Sequence, residues 1–153
     1  MANNLMEPAD VVSLAINDPQ FDTNLIKAEY IEAAQLGYIK PLLGTDFYDL
    51  VVASPSSYST LVGYIKHALA YYTLVKALPF IHIHLVSQGI QLNWSDYGNA
   101  ATDSQRAALS DAAKSMGDTF AEELKRHLDD NTDTYTDYSS ESLYKKRGGL
   151  IIY

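Results

Sequence analysis

The sequence predicts a mainly α-helical fold: a compact helical bundle with a small β-hairpin-like element and an extended C-terminal arm. Three observations predict it. Apolar residues recur at helical spacing through most of the chain, and Leu61, Val62, Tyr64, Ile65, Ala68, Leu69, Tyr72 and Val75 make one segment apolar on most sides. Strict alternation is confined to one short region, Ile81, Ile83 and Leu85 against His82 and His84, and again Ile90-Gln91-Leu92-Asn93-Trp94. From Asp129 to Glu141 five acidic residues sit among Thr, Ser and Asn, a composition poor in core-forming side chains. The expected organisation is a helical body over 1–128 and a docking arm over 129–153.

Taken in order, the first helix opens at Glu7-Pro8-Ala9-Asp10, with Pro8 in the first turn, and runs to about Ile16 on Val11, Val12, Ala15 and Ile16. Asn17-Asp18-Pro19 breaks it. Asp22 then reads as the cap of a helix from Thr23, carrying Leu25, Ile26, Tyr30, Ala33 and Ala34. Pro41 is expected to interrupt near Lys40, and Leu43-Gly44-Thr45-Asp46 to cap a new helix from Phe47 to about Val52. After the loop Ser54–Ser57 comes the longest helix, from about Tyr58 to Leu78, which should be central, with Ala68 and Leu69 buried and Pro79 marking its end or a kink.

Residues 80–94 read as the hairpin-like element, with Ser87-Gln88-Gly89 as its turn; the rival reading continues the helix through Pro79 into a single short strand. Thr102 or Asp103 caps a last amphipathic helix to about Leu128, with Ala107, Ala108, Ala112, Met116, Phe120, Leu124 and Leu128 expected to face inward.

At 153 residues the chain suffices for one domain with a real core. It has no cysteine, which removes disulfides, thiol nucleophiles and cysteine-based zinc sites. A net charge of −8 gives no electrostatic reason to expect general phosphate-backbone binding. The apolar run from Leu61 to Val86 is broken by Lys66, His67, Lys76, Pro79, His82 and His84, and is not expected to span a membrane. No phosphate-binding glycine loop, zinc-protease helix or nucleophile elbow occurs. His82 and His84 share one face of a strand and could ligate a metal with His67 or His127, but such a pair is ordinarily a solvated strand face. Glu29 with Glu32 reads as a wet helix face, and Asp46 with Asp49 as cap and first-turn charge. The expectation is neither catalysis, cofactor nor metal.

The informative stretch is the last one. Lys145, Lys146 and Arg147 form a basic patch, Gly148 and Gly149 a hinge, and Leu150, Ile151, Ile152 and Tyr153 an apolar segment of high strand propensity that suits a foreign edge or groove. Tyrosine outnumbers phenylalanine, 12 to 4, and tyrosine suits surfaces that alternate between wet and buried. Tyr30, Tyr64, Tyr71 and Tyr72 read as helix core or rim, whereas Tyr135, Tyr138, Tyr144 and Tyr153 lie in the arm and read as partner-binding residues.

The layout resembles the head–tail connector (adaptor, or neck) proteins of tailed phages. The resemblance rests on the early helix Ala28-Glu29-Tyr30-Ile31-Glu32-Ala33-Ala34-Gln35, the segment Tyr38-Ile39-Lys40-Pro41-Leu42-Leu43-Gly44 and the long helix Leu61–Leu78. It extends to the turn Val86-Ser87-Gln88-Gly89-Ile90, the helix end Leu124-Lys125-Arg126-His127-Leu128 and the arm. It implies a virion structural protein at the head–tail interface that forms a homo-oligomeric ring, commonly of twelve copies. Its implied partners are the portal and the tail or neck proteins, with DNA only as cargo in the ring lumen. The β-like stretch departs from a purely helical body. Two other classes fit the same residues: a small helical regulator or chaperone-type protein whose tail binds a client, and an enzyme using the His82–His84 pair with Asp96. Particle mass and metal content separate the three.

Overall fold

The helix expected at the centre runs from Ser59 to Ile81, and its buried residues, among them Leu61, Ile65, Ala68, Leu69, Tyr72 and Thr73, cover most of its circumference, leaving a side with Gly63, Tyr64 and His67 exposed. The structure, a computed structural model, describes residues 3–81, 83–86, 89–92 and 103–138. In chain order its elements are α1 (Pro8–Val11), α2 (Ala28–Ala34), α3 (Lys40–Leu43), α4 (Thr45–Ala53), α5 (Ser59–Ile81), β1 (Ile83–Val86), β2 (Gly89–Leu92) and α6 (Asp103–Asp130). Wide π turns cover Val12–Ile16 and Gln35–Ile39, and tighter 3-10 turns cover Thr23–Leu25 and Pro55–Tyr58. The fold is mainly helical. The antiparallel helices α5 and α6 form the main packed pair, and α2 and α1 lie against α5. Among the described residues no helix is long and apolar enough to cross a membrane.

Several boundaries differ from the sequence reading, each for a local reason. Asp22 accepts a bond from the Asn24 N–H at 3.0 Å, but it caps only the 3-10 turn. Ile26 and Lys27 then return to extended backbone, which places Ile26 in the core, and α2 starts at Ala28. Pro41 does not interrupt the chain's helical course. The π turn before it takes the Lys40 N–H to the Gln35 carbonyl, and Pro41 enters α3 at a first-turn position where its missing N–H costs little. The break comes at Gly44, whose φ of 85° separates α3 from α4. Pro79 likewise sits inside the last turn of α5, where one internal bond is lost, and the helix continues to Ile81.

The alternating stretch therefore begins later than residue 80, since Phe80 and Ile81 are helical. Ile83 pairs with Leu92 and Val86 with Gly89 in an antiparallel register. His82, Asn93 and Trp94 lie outside the described residues.

The inward face of α6 is turned by about one residue from the expected one. Ala113, Gly117, Ala121, Leu124 and Leu128 are buried, while Ala107, Ala108 and Ala112 are exposed and Met116 is 42% exposed. The sequence holds two overlapping stripes of small residues, and the partner helix chooses between them. Tyr72 of α5 lies flat against α6, so close that a Cβ at residue 117 would stand 2.7 Å from its ring. Only glycine fits there. The ring of Tyr72 also stacks on Tyr38 at 4.0 Å, and its hydroxyl donates to Asp118 at 2.6 Å.

One turn before Tyr38, buried Gln35 ties three segments together. Its carbonyl accepts from the Leu5 N–H at 2.9 Å, and its amide donates to the Asn3 carbonyl and to the Tyr48 hydroxyl.

Candidate partner-docking site

The residues expected to bind a partner begin just after α6, and the first two are not free. Tyr135 and Tyr138 are only 8% and 6% exposed. Three consecutive turns fold the chain back under the end of α6. Thr134 and Tyr135 each donate their N–H to the Asn131 carbonyl, and Tyr138 donates its N–H to the Tyr135 carbonyl. The two rings then join Phe47 of α4 and Tyr58, with centroid separations of 5.9–6.4 Å. Acidic composition gave the wrong expectation because two aromatic rings supply enough apolar surface to hold a short turn against an aromatic pocket. Residues 129–138 thus belong to the body, and these two tyrosines anchor them to it. Tyr144, Lys145, Lys146, Arg147, Gly148, Gly149, Leu150, Ile151, Ile152 and Tyr153 lie outside the described residues.

The anchor is also polar. Asn131 donates from its amide to the His127 carbonyl at 2.8 Å and to Nδ1 of the same histidine at 3.3 Å. His127 Nδ1 is therefore an acceptor, and Nε2 carries the proton towards the Tyr135 hydroxyl at 3.0 Å. Burial pushes the Tyr135 hydroxyl above its ordinary value. On the other flank of α6, Tyr138 donates to Asp129 at 3.3 Å, and Asp129 accepts from Lys125 at 2.6 Å. Burial pulls Lys125 down, but the bond to Asp129 and the charges of Tyr138 and Asp129 outweigh it, so its pKa is raised.

His127 leads to a second feature. Its ring stacks on Tyr64 of α5 at 4.3 Å, and Tyr64 walls a groove between α5 and α6. The groove, about 320 Å³, is lined by Thr60, Gly63, Tyr64, His67, Phe120 and Glu123 and is mostly apolar. Gly63 forms an open part of it: a Cβ there would meet no atom within 4 Å. His67 donates Nδ1–H to the Gly63 carbonyl at 2.9 Å, and its ring leans on Phe120 at 5.4 Å. Tyr64 and Glu123 also border a polar depression with Arg126, His127, Asp130 and Asn131. Sequence reasoning missed this groove. Its one signal was Gly63, flanked at helical spacing by polar Thr60 and His67 on a helix otherwise read as apolar on most sides.

Among the described residues no three histidine or acidic side chains stand close enough to hold a metal ion. His67 and His127, the two histidines that could have completed a site with His82 and His84, are each engaged in the contacts above.

Residues 29–148 match a family described as "Family of unknown function (DUF6712)". The chain belongs to this family. The matched region runs from α2 through the anchor and the basic patch to Gly148, and leaves out α1 and the two turns that follow it. No curated protein matches the chain, and no solved structure does.

Proposed function

We propose that this chain is a ring-forming structural subunit of a virion that joins the head of a tailed phage to its tail and docks through residues 145–153. The observation that carries the reading is the anchor. Tyr135 and Tyr138 fix the chain to the body, so the basic patch, the Gly148-Gly149 hinge and the apolar Leu150–Tyr153 depart from a defined point. A strand-prone tetrapeptide on such a leash either adds a strand to a partner edge through main-chain bonds or fills a partner groove with its apolar side chains. Lys145, Lys146 and Arg147 steer it towards acidic ground. In a ring many such contacts act together, so weak individual docking becomes firm. The antiparallel pair β1–β2 is a second appendage of the helical body in this reading. The partners are the portal and the tail or neck proteins.

The test is co-sedimentation with a portal-type ring. The full chain should travel with the ring, and a chain lacking residues 148–153 should stay behind while melting at the same temperature. A truncated chain that still joins the ring removes the role assigned to the arm. A full chain that stays monomeric but captures extended client peptides points instead to a small chaperone-type binding protein.

A further inference from the structure

We infer that the α5–α6 groove at Gly63 is the receptor for residues 150–153 of a second copy of this chain. This rests on the reading of residues 145–153 as a docking arm and adds where the arm goes.

Three observations carry it. The first is chemical order. The groove passes from an acidic, polar end at Asp130 and Asn131 to an apolar end at Gly63, His67 and Phe120. The arm has the matching order, with three cations, two glycines and four apolar residues. At the polar end Glu123 and Asp130 outnumber Arg126, an acidic balance that suits the three cations Lys145, Lys146 and Arg147. The second is length. Thr60 to His67 spans about 10 Å of helix at ~1.5 Å per residue, and four extended residues span about 13 Å at ~3.3 Å each.

The third favours a second copy. Between Tyr135, which touches His127 on the groove flank of α6, and Tyr138, which bonds Asp129, the chain crosses beneath the helix end. At 3.6 residues per turn, Lys125 and Asp129 lie about 190° around α6 from Phe120 and Glu123. Tyr138, the last described residue, thus lies on the flank away from the chain's own groove, and a neighbour's arm reaches that groove without turning back round the helix end. Tyr64, 40% exposed, forms its accessible wall.

The chain has no cysteine, so two single-cysteine variants report the contact cleanly. Thr60→Cys chains mixed with Ile151→Cys chains and oxidised should give a reducible dimer. Adding Gly63→Phe to the Thr60→Cys chain puts a ring into the groove from a position whose Cβ meets no described atom within 4 Å. It should cut the dimer yield at least tenfold at an unchanged melting temperature. Equal yield with the plug in place overturns the groove. So does a crosslink that forms within one chain of the double variant while the mixed single variants give none. Co-sedimentation with a portal-type ring reads the connector proposal separately. Inter-chain crosslinking without ring binding removes the connector reading and keeps the groove, and ring binding without the crosslink does the reverse.

Discussion

Two helical glycines, Gly117 on α6 and Gly63 on α5, occupy opposite situations in the same helix pair. At Gly117 the missing side chain admits the ring of Tyr72, and a Cβ would stand 2.7 Å from it. At Gly63 a Cβ would meet nothing within 4 Å. One glycine closes a seam and the other leaves a slot open. Glycine costs a helix about 0.5–1 kcal/mol relative to alanine, so each position forgoes stability. The seam offsets that loss through packing inside the chain; the slot shows no such return among the described residues. That contrast makes the Gly63 side of the pair the better place for a partner.

The contrast can be broken or sharpened by substitution. The largest effect should come from the closed side's interior: Leu69→Ala, at a fully buried position of α5, should cost ~2–5 kcal/mol in denaturant unfolding. Next, Gly117→Ala should cost about 1–3 kcal/mol through overpacking against Tyr72, despite alanine's better helix propensity. A neutral or stabilising result there would show that the seam is looser than its geometry states. Smaller again, Tyr135→Phe should cost about 0.5–1.5 kcal/mol by removing the hydroxyl that meets His127.

The tyrosines also set a pH dependence. Burial raises both Tyr48 and Tyr135 above the ordinary 10.0. The folded chain holds these protons more tightly than the unfolded chain does. Their contribution is therefore complete below about pH 10 and is lost as pH climbs through the raised folded values. Thermal melts should fall across that window, and Tyr135→Phe should shallow the fall. The smallest effect has the opposite sign: Gly63→Ala should stabilise by about 0.5–1 kcal/mol, read as a higher melting temperature.

How far the sequence reaches is visible in the same elements. The central helix was legible because a segment apolar on most sides, as over Leu61–Val75, has only one use in a small domain. The start of α1 at Pro8 and the Gly44 junction were legible because proline and glycine act through local backbone geometry. The face of α6 was not. Ala108, Ala112 and Met116 form as good a stripe as Ala113, Gly117 and Ala121, and the choice is made by Tyr72, 45 residues earlier in the chain. Pro41 misled because a π turn relieved the clash that proline ordinarily makes. Tyr135 and Tyr138 misled because their burial depends on Phe47 and Tyr58, which composition windows around residue 135 cannot register. The groove left a trace only in Gly63, whose meaning requires knowing that nothing packs on it.

The most direct test of the account is solution mass by light scattering, with and without residues 148–153, alone and with a portal-type ring present. The account predicts that the full chain forms a large closed oligomer, alone or on the ring, and that the truncated chain remains a single folded copy in both conditions with an unchanged melting temperature. A truncated chain that assembles to the same mass as the full chain would contradict it.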